Sequence, residues 1–184
     1  MRVVAGAARG RRLTVPAGDT VRPTADRVKE ALFSSLQPLL AGARVLDLYA
    51  GSGALGLEAL SRGATHVTFV ERDRRALDAL RANVEVVGLP GTSIVAGPVA
   101  RALAGHVAGE PFDLVVADPP YRTPAAEVTA TLAAVVDHLA PEATVVVERA
   151  VRDELPTWPE GFALDEPRRY GDTALHRGRR SVSP

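Results

Sequence analysis

The sequence predicts an α/β fold: a mostly parallel seven-stranded sheet with helices on both faces and a small N-terminal β-hairpin extension. Three observations predict it. Short apolar runs at residues 44–48, 66–70, 92–96, 112–117 and 143–149 alternate with helical patterns near 54–62, 73–87, 98–105 and 124–139, which is the signature of parallel strands joined by crossover helices. A glycine-rich stretch separates the first of these strands from its helix. Residues 162–167 and 173–177 then form a closing pair of strands, joined through Tyr170-Gly171-Asp172.

At the N-terminus, Arg2 to Ala5 and Arg12 to Val15 are β-prone runs around Gly6-Ala7-Ala8-Arg9-Gly10-Arg11, a hairpin with a basic tip. Residues 16–20 are a loop. From Ala25 to Leu40 apolar residues recur at Val28, Ala31, Leu32, Leu36 and Leu39, which predicts an amphipathic helix with Thr24 as N-cap. Pro38 marks its end or a kink. The division expected is a hairpin extension over 1–20 and one domain over 21–184.

The first strand, 44–48, carries Asp47 and leads into Ala50-Gly51-Ser52-Gly53-Ala54-Leu55-Gly56. Gly51 and Gly53 let the backbone turn sharply and approach a ligand with no Cβ in the way. The amides opening the next helix suit a polar or anionic group. The second strand ends at Glu71, where a carboxylate can accept from both hydroxyls of a ribose. The pattern G-x-G-x-x-G also fits a nicotinamide or flavin dinucleotide. Asp47, four residues before Gly51, argues otherwise, because a diphosphate gains nothing from a nearby carboxylate while a cationic ligand does. S-adenosylmethionine has an ammonium, a sulfonium and a ribose. The D-x-x-x-G-x-G spacing with an acid after the next strand resembles that of the class I methyltransferases.

The fourth strand, 112–117, runs straight into Asp118-Pro119-Pro120-Tyr121. The prolines fix φ and withhold two amide donors. Asp118 and the Pro119 carbonyl can then both accept from one exocyclic amine, and Tyr121 offers a face for a base to stack on. An aromatic amine is a poor nucleophile, since its lone pair is delocalised into the ring. Two acceptors favour a pyramidal nitrogen, and Asp118 stabilises the positive charge that develops there during methyl transfer.

At 184 residues, with 46% hydrophobic and 24% charged residues, the chain is one ordinary globular domain. No apolar run is long enough to span a membrane, and the N-terminus has no signal core. With no cysteine and four scattered histidines, no metal site is expected. The cytoplasm is the default location. Net charge is zero, yet both ends are basic. Arg9, Arg11, Arg12 and Lys29 near one end and Arg168 to Arg180 at the other provide a face for nucleic acid.

In order and spacing, Val3-Val4-Ala5-Gly6, Arg9-Gly10-Arg11-Arg12-Leu13 and Arg22-Pro23-Thr24-Ala25-Asp26-Arg27-Val28 resemble the bacterial 16S ribosomal RNA guanine-N2 methyltransferase family. Asp47 through Gly63, Asp118 to Tyr121 and Tyr170-Gly171-Asp172-Thr173 match it too. The resemblance implies a Rossmann-like class I methyltransferase fold and S-adenosylmethionine as methyl donor. It implies as target a guanine of small-subunit 16S rRNA within the assembled subunit, and a monomer. On the matched positions, Arg22, Thr24 and Arg27 border the methionine end of the cofactor. Asp47, Ala50, Gly51 and Gly53 line its middle, and Glu71 its ribose. Asp118, Pro119, Pro120 and Tyr121 hold the base.

Two positions depart from the family. Where an Asp or Asn often meets adenine, this chain has Gly97-Pro98-Val99, so adenine recognition falls to the Val99 amide and apolar contacts. Arg72 follows Glu71 in place of an apolar residue, and its stem or guanidinium can stack on the ring instead. The Asp-Pro-Pro-Tyr turn also occurs in N6-adenine methyltransferases acting on DNA or RNA, which is the alternative reading. A dehydrogenase and a non-catalytic RNA-binding protein are further rivals.

Overall fold

The computed structural model describes residues 1–16, 23–107, 109 and 111–181, with the side chains of residues 23–27 outside that description. In chain order the elements are α1 (Pro23–Leu40), β1 (Arg44–Leu48), α2 (Ala54–Ser61), β2 (His66–Glu71), α3 (Arg74–Val87), β3 (Thr92–Ala96) and α4 (Val99–Leu103). There follow β4 (Phe112–Ala117), α5 (Ala125–Val135), β5 (Leu139–Ala150), β6 (Phe162–Leu164), β7 (Arg168–Tyr170) and β8 (Thr173–Arg180). Pro38 lies inside α1, two residues before its end, where the amide it lacks breaks only the final turn.

Strands run β3-β2-β1-β4-β5-β8-β6, with β7 also on β8. The pairs from β3 to β5 are parallel, and β8 is antiparallel to β5, β6 and β7. The sheet therefore has eight strands where seven are expected. The difference is local: the run 162–167 ends as a strand at Leu164 and resumes at Arg168. Asp165 still donates to the Arg177 carbonyl at 2.9 Å, but Pro167 has no amide to continue the ladder.

Two apolar layers cover the sheet. On one face Val45, Val67, Phe69, Leu114 and Val116 pack with Leu32, Phe33 and Leu36 of α1, Leu57 of α2 and Leu80 of α3. On the other, Leu46, Val70, Val115, Val145 and Val147 pack with α4 and α5. Beyond the register shift between Phe112 and Leu114, the alternation along β1, β4 and β5 puts each residue on the face its parity requires. Cap chemistry bounds α3: the Asp73 side chain accepts from the Ala76 amide at 2.9 Å, and Gly88 closes the helix at φ 63°.

The N-terminal segment makes a single antiparallel bridge, Arg2 with Arg12. Around it, Val3 donates to the Arg11 carbonyl and Leu13 to that of Met1. Its attachment comes from α2. The buried Glu58 carboxylate accepts from the Val4 and Ala5 amides at 2.7 and 3.1 Å, and Ser61 takes the Ala7 and Ala8 amides and donates to the Ala5 carbonyl. Val3, Ala8 and Leu13 enter the same core layer as α1 and α2. The turn thus lies along α2, with its tip at the Ser61 end. Gly53 opens α2 at the other end, roughly 12 Å away at 1.5 Å per residue.

Candidate functional site

The chain leaves β1 toward β2 and β3 on one side, then returns to place β4 on the other. That reversal opens a crevice at the carboxyl ends of β1 and β4. A cleft of about 1350 Å³ occupies it, lined by Asp47, Ala50, Gly51, Glu71, Arg72, Val99, the four residues Asp118 to Tyr121, and Glu148.

The glycine turn is built by tight packing on one side and open space on the other. Gly51 (φ 55°) has nothing within 4 Å of where a Cβ would stand, and its amide donates to Glu71 Oε2 at 2.8 Å. At Gly53 (φ 80°) a Cβ would stand 2.3 Å from Leu80 Cδ1, inside the core. Gly53 is not among the residues lining the cleft, and a side chain there would enter the core. At Gly56 a Cβ would meet Phe69 at 2.4 Å and Val67 at 2.7 Å, so glycine there lets α2 close on the sheet.

Three of the carboxylates lining this space stand at or next to the ends of β1, β2 and β4. Glu71 Oε1 accepts from the Arg72 and Asp73 amides at 2.6 and 2.7 Å. Together with the Gly51 amide these fix its orientation, and lone pairs remain for further donors. Asp47 is 1% exposed and accepts from the Gly56 amide at 2.8 Å. Burial holds its carboxyl well above the usual range; the Gly56 hydrogen bond opposes this, and Asp118 and Glu71 add repulsion. Asp118 directly follows β4 on the cleft floor, where water reaches it although protein surrounds the floor; burial pushes its carboxyl up to about 6. Accessibility governs what can touch this group, and the surrounding low-dielectric mass governs its affinity for a proton. A positively charged ligand relieves all three, and a diphosphate would aggravate them. The donor set therefore fits a ligand with cationic centres and a ribose diol.

Beyond Asp118 the chain turns through Pro119 and Pro120, with the Thr123 amide donating to the Pro120 carbonyl at 2.8 Å. Tyr121 is 53% exposed and lines the cleft. Tyr49, at the end of β1, holds φ 58°, and its hydroxyl is 3.1 Å from Thr131 Oγ1. Left-handed backbone at a non-glycine residue concentrates at functional sites, yet nothing in the residue type announces it.

The expected site residues divide clearly. Asp47, Ala50, Gly51, Glu71, Arg72, Val99, Asp118, Pro119, Pro120 and Tyr121 share one cleft. Arg22 and the side chains of Thr24 and Arg27 lie outside the described residues. Lys29, expected among the RNA-binding cations, is 4% exposed, and its ammonium donates to the Arg2 carbonyl at 2.7 Å with Glu58 at 3.8 Å. It braces the N-terminal segment and, although buried, lines the same cleft. Arg9, Arg11 and Arg12 are exposed, but Arg11 donates to the Val86 carbonyl near the end of α3 at 2.7 Å.

Other functional positions escaped the sequence reading. Asn83 is fully buried; it accepts from the Thr14 amide at 2.7 Å and donates to the Thr14 and Ser52 carbonyls, tying the N-terminal segment to the glycine turn. A polar residue at a core position of the α3 period, after Ala76, Leu77 and Leu80, is the signal that marks it. Among the described residues no group of His, Asp and Glu could hold a metal ion, and no helix is long and apolar enough to cross a membrane.

Fold and cleft together define a class I methyltransferase with S-adenosylmethionine as its cofactor. The chain matches the family model described as Conserved hypothetical protein 95 over residues 1–178. It is 40% identical to the ribosomal RNA small subunit methyltransferase D of Escherichia coli K12, over 95% of this chain and 87% of the relative. Against the protein of the same name from Haemophilus influenzae it is 37% identical, over 89% and 86%. A solved Escherichia coli structure, described as that of a candidate methyltransferase, superposes with TM-score 0.86 at 38% identity, covering 100% of this chain and 99% of the other. The chain belongs to the family of ribosomal RNA small subunit methyltransferase D, and is an S-adenosylmethionine-dependent rRNA methyltransferase.

Proposed function

We propose that the enzyme methylates the exocyclic N2 amine of a guanine in 16S rRNA, within the assembled small subunit, acting as a monomer in the cytoplasm. The observation that carries this reading is the Asp118-Pro119-Pro120-Tyr121 turn, which shares its cleft with Asp47, Gly51 and Glu71.

When bound, the cofactor supplies an electrophilic methyl group on a cationic sulfur and leaves as a neutral thioether. The chain's residues do the rest. Asp47 faces the cationic end of the cofactor and Glu71 accepts from its ribose hydroxyls. Val99 and the stem of Arg72 cover the adenine. Tyr121 stacks on the guanine, while the Asp118 carboxylate and the Pro119 carbonyl accept the two N2 hydrogens and localise the nitrogen lone pair. As the N–C bond forms, Asp118 stabilises the positive nitrogen and is the nearest acceptor for the proton that nitrogen then loses.

Arg9 and Arg12 bind phosphates of the flanking RNA. Arg9 follows Ala8, whose amide meets Ser61 at the end of α2 away from the glycine turn, which suits a contact beside the target base and not on it. The adenine-N6 reading shares the Asp-Pro-Pro-Tyr turn, but the relatives at 40% and 37% identity are named for small-subunit ribosomal RNA.

The experiment is methyl transfer from labelled cofactor to purified small subunits, protein-free 16S rRNA and duplex DNA in parallel. Label entering the RNA of small subunits supports the proposal. Label entering DNA alone contradicts it.

A further inference from the structure

We propose that Glu148 reads the N1–H of the target guanine, and so lets an Asp-Pro-Pro-Tyr site choose guanine over adenine. The inference rests on the guanine-N2 reading above. It starts from register. Strands β4 and β5 are parallel, with Val115 opposite Val145, Val116 opposite Val146 and Ala117 opposite Val147. One residue further along each chain stand Asp118 and Glu148, and both line the cleft. Val116 and Val146 pack in one core layer while Ala117 and Val147 pack in the other. By alternation, Asp118 and Glu148 emerge on one face, from neighbouring strands about 4.8 Å apart.

Asp47 meets the cation, Glu71 the ribose and Asp118 the N2 amine. Among the other acids lining the cleft, Glu148 is the one that register sets directly beside Asp118, in a cleft whose acids already repel one another, and the methyl-transfer chemistry gives it no task. Guanine supplies one. With two N2 hydrogens taken by Asp118 and Pro119, the same edge still presents N1–H directly beside them. A carboxylate accepts that donor. Adenine offers a lone pair at N1, which would face a carboxylate oxygen with no proton between them. Glu148 has a further interaction within the protein, and a carboxylate's four lone-pair sites leave capacity for the base as well.

A site built to hydrogen-bond a substrate group rejects analogues lacking it far more strongly than a shape filter does. The test uses small subunits reassembled on 16S rRNA carrying guanine or 2-aminopurine at the modified position. 2-Aminopurine keeps the 2-amine but has a lone pair at N1. Wild-type protein is expected to methylate it at least about 10²-fold more slowly than guanine. In Glu148→Gln, whose amide offers a donor and an acceptor, turnover on guanine falls and the gap narrows to within about tenfold. Cofactor affinity and melting temperature stay at wild-type values.

Equal wild-type rates on the two bases overturn the proposal without reference to any variant. An unchanged gap in Glu148→Gln overturns it too, as does a variant that loses cofactor binding or stability along with activity, since Glu148 would then only hold the fold. Wild-type protein that methylates neither base at the 2-amine defeats the guanine-N2 reading itself, and this proposal with it.

Discussion

Replacing Asp118 by asparagine should make the apo protein more stable and nearly inactive. The side chain keeps its shape and loses its charge. In the folded protein burial raises the Asp118 carboxyl to about 6, from 3.8. Between those values the folded state holds a proton the unfolded state has released, so stability falls as pH rises through this window and the penalty is complete above about 6. Two units at about 1.4 kcal/mol each set an upper bound near 3 kcal/mol. Water reaches this carboxyl, and screening reduces the expected gain to about 1 kcal/mol, or roughly 2–4 °C in melting temperature for a domain of this size. The gain should appear at pH 8 and shrink at pH 5, where the wild-type carboxyl is already largely protonated. Turnover should drop by about 10²–10³, by analogy with removing a group aimed at developing charge. Thermal unfolding of the apo proteins at both pH values, beside methyl-transfer rates at pH 8, tests both halves. A variant no more stable than wild type at pH 8, with turnover within a few-fold, would refute the charged-floor account of this residue.

Cofactor affinity should fall as pH drops below about 6, because burial raises Asp118 to that value and Asp47 also lies well above its usual range. A cation favours their ionised forms, so binding releases protons, which calorimetry in buffers of different ionisation enthalpy detects; affinity independent of pH from 5 to 8 would contradict this. Gly51→Ala places a methyl group in open cleft space and should weaken cofactor binding while costing about 1 kcal/mol in backbone strain. Gly53→Val drives into Leu80 and should cost about 3 kcal/mol or more in stability, seen by denaturant unfolding; a stable variant lacking only cofactor binding would reverse these roles. Replacing Arg9, Arg11 and Arg12 by alanine should make the slope of log RNA affinity against log salt shallower by about 1.4–1.8, two phosphate contacts' worth, since Arg11 is held by the Val86 carbonyl. An unchanged slope would remove the N-terminal turn from the RNA interface.

The parallel core was legible because each strand and helix carries its own local signal. Apolar runs of strand length, the glycine turn after Leu48 and the Asp73 cap all act within a few residues of one another. The cleft residues were legible for a related reason: carboxyl-terminal ends of strands converge at the chain reversal, so Asp47, Glu71 and Asp118 meet whatever the intervening helices do. What escaped depends on contacts distant in sequence. Lys29 looks like a surface cation on an amphipathic helix, and only the docking of residues 1–13 against Glu58 and Ser61 buries it. Gly51 and Gly53 are the same residue type two positions apart, and only packing by Phe69 and Leu80 decides which of them faces open space and which the core. The split of the sixth strand follows from Pro167, a signal that was present and that the β-prone run before it concealed.

The most direct test of the central claim is the identity of the methylated nucleoside. Small subunits incubated with the enzyme and labelled S-adenosylmethionine should, after digestion of their 16S rRNA, yield label in N2-methylguanosine, with none formed by Asp118→Asn above about one hundredth of the wild-type rate. Label in N6-methyladenosine, or N2-methylguanosine formed equally well by Asp118→Asn, would contradict the account.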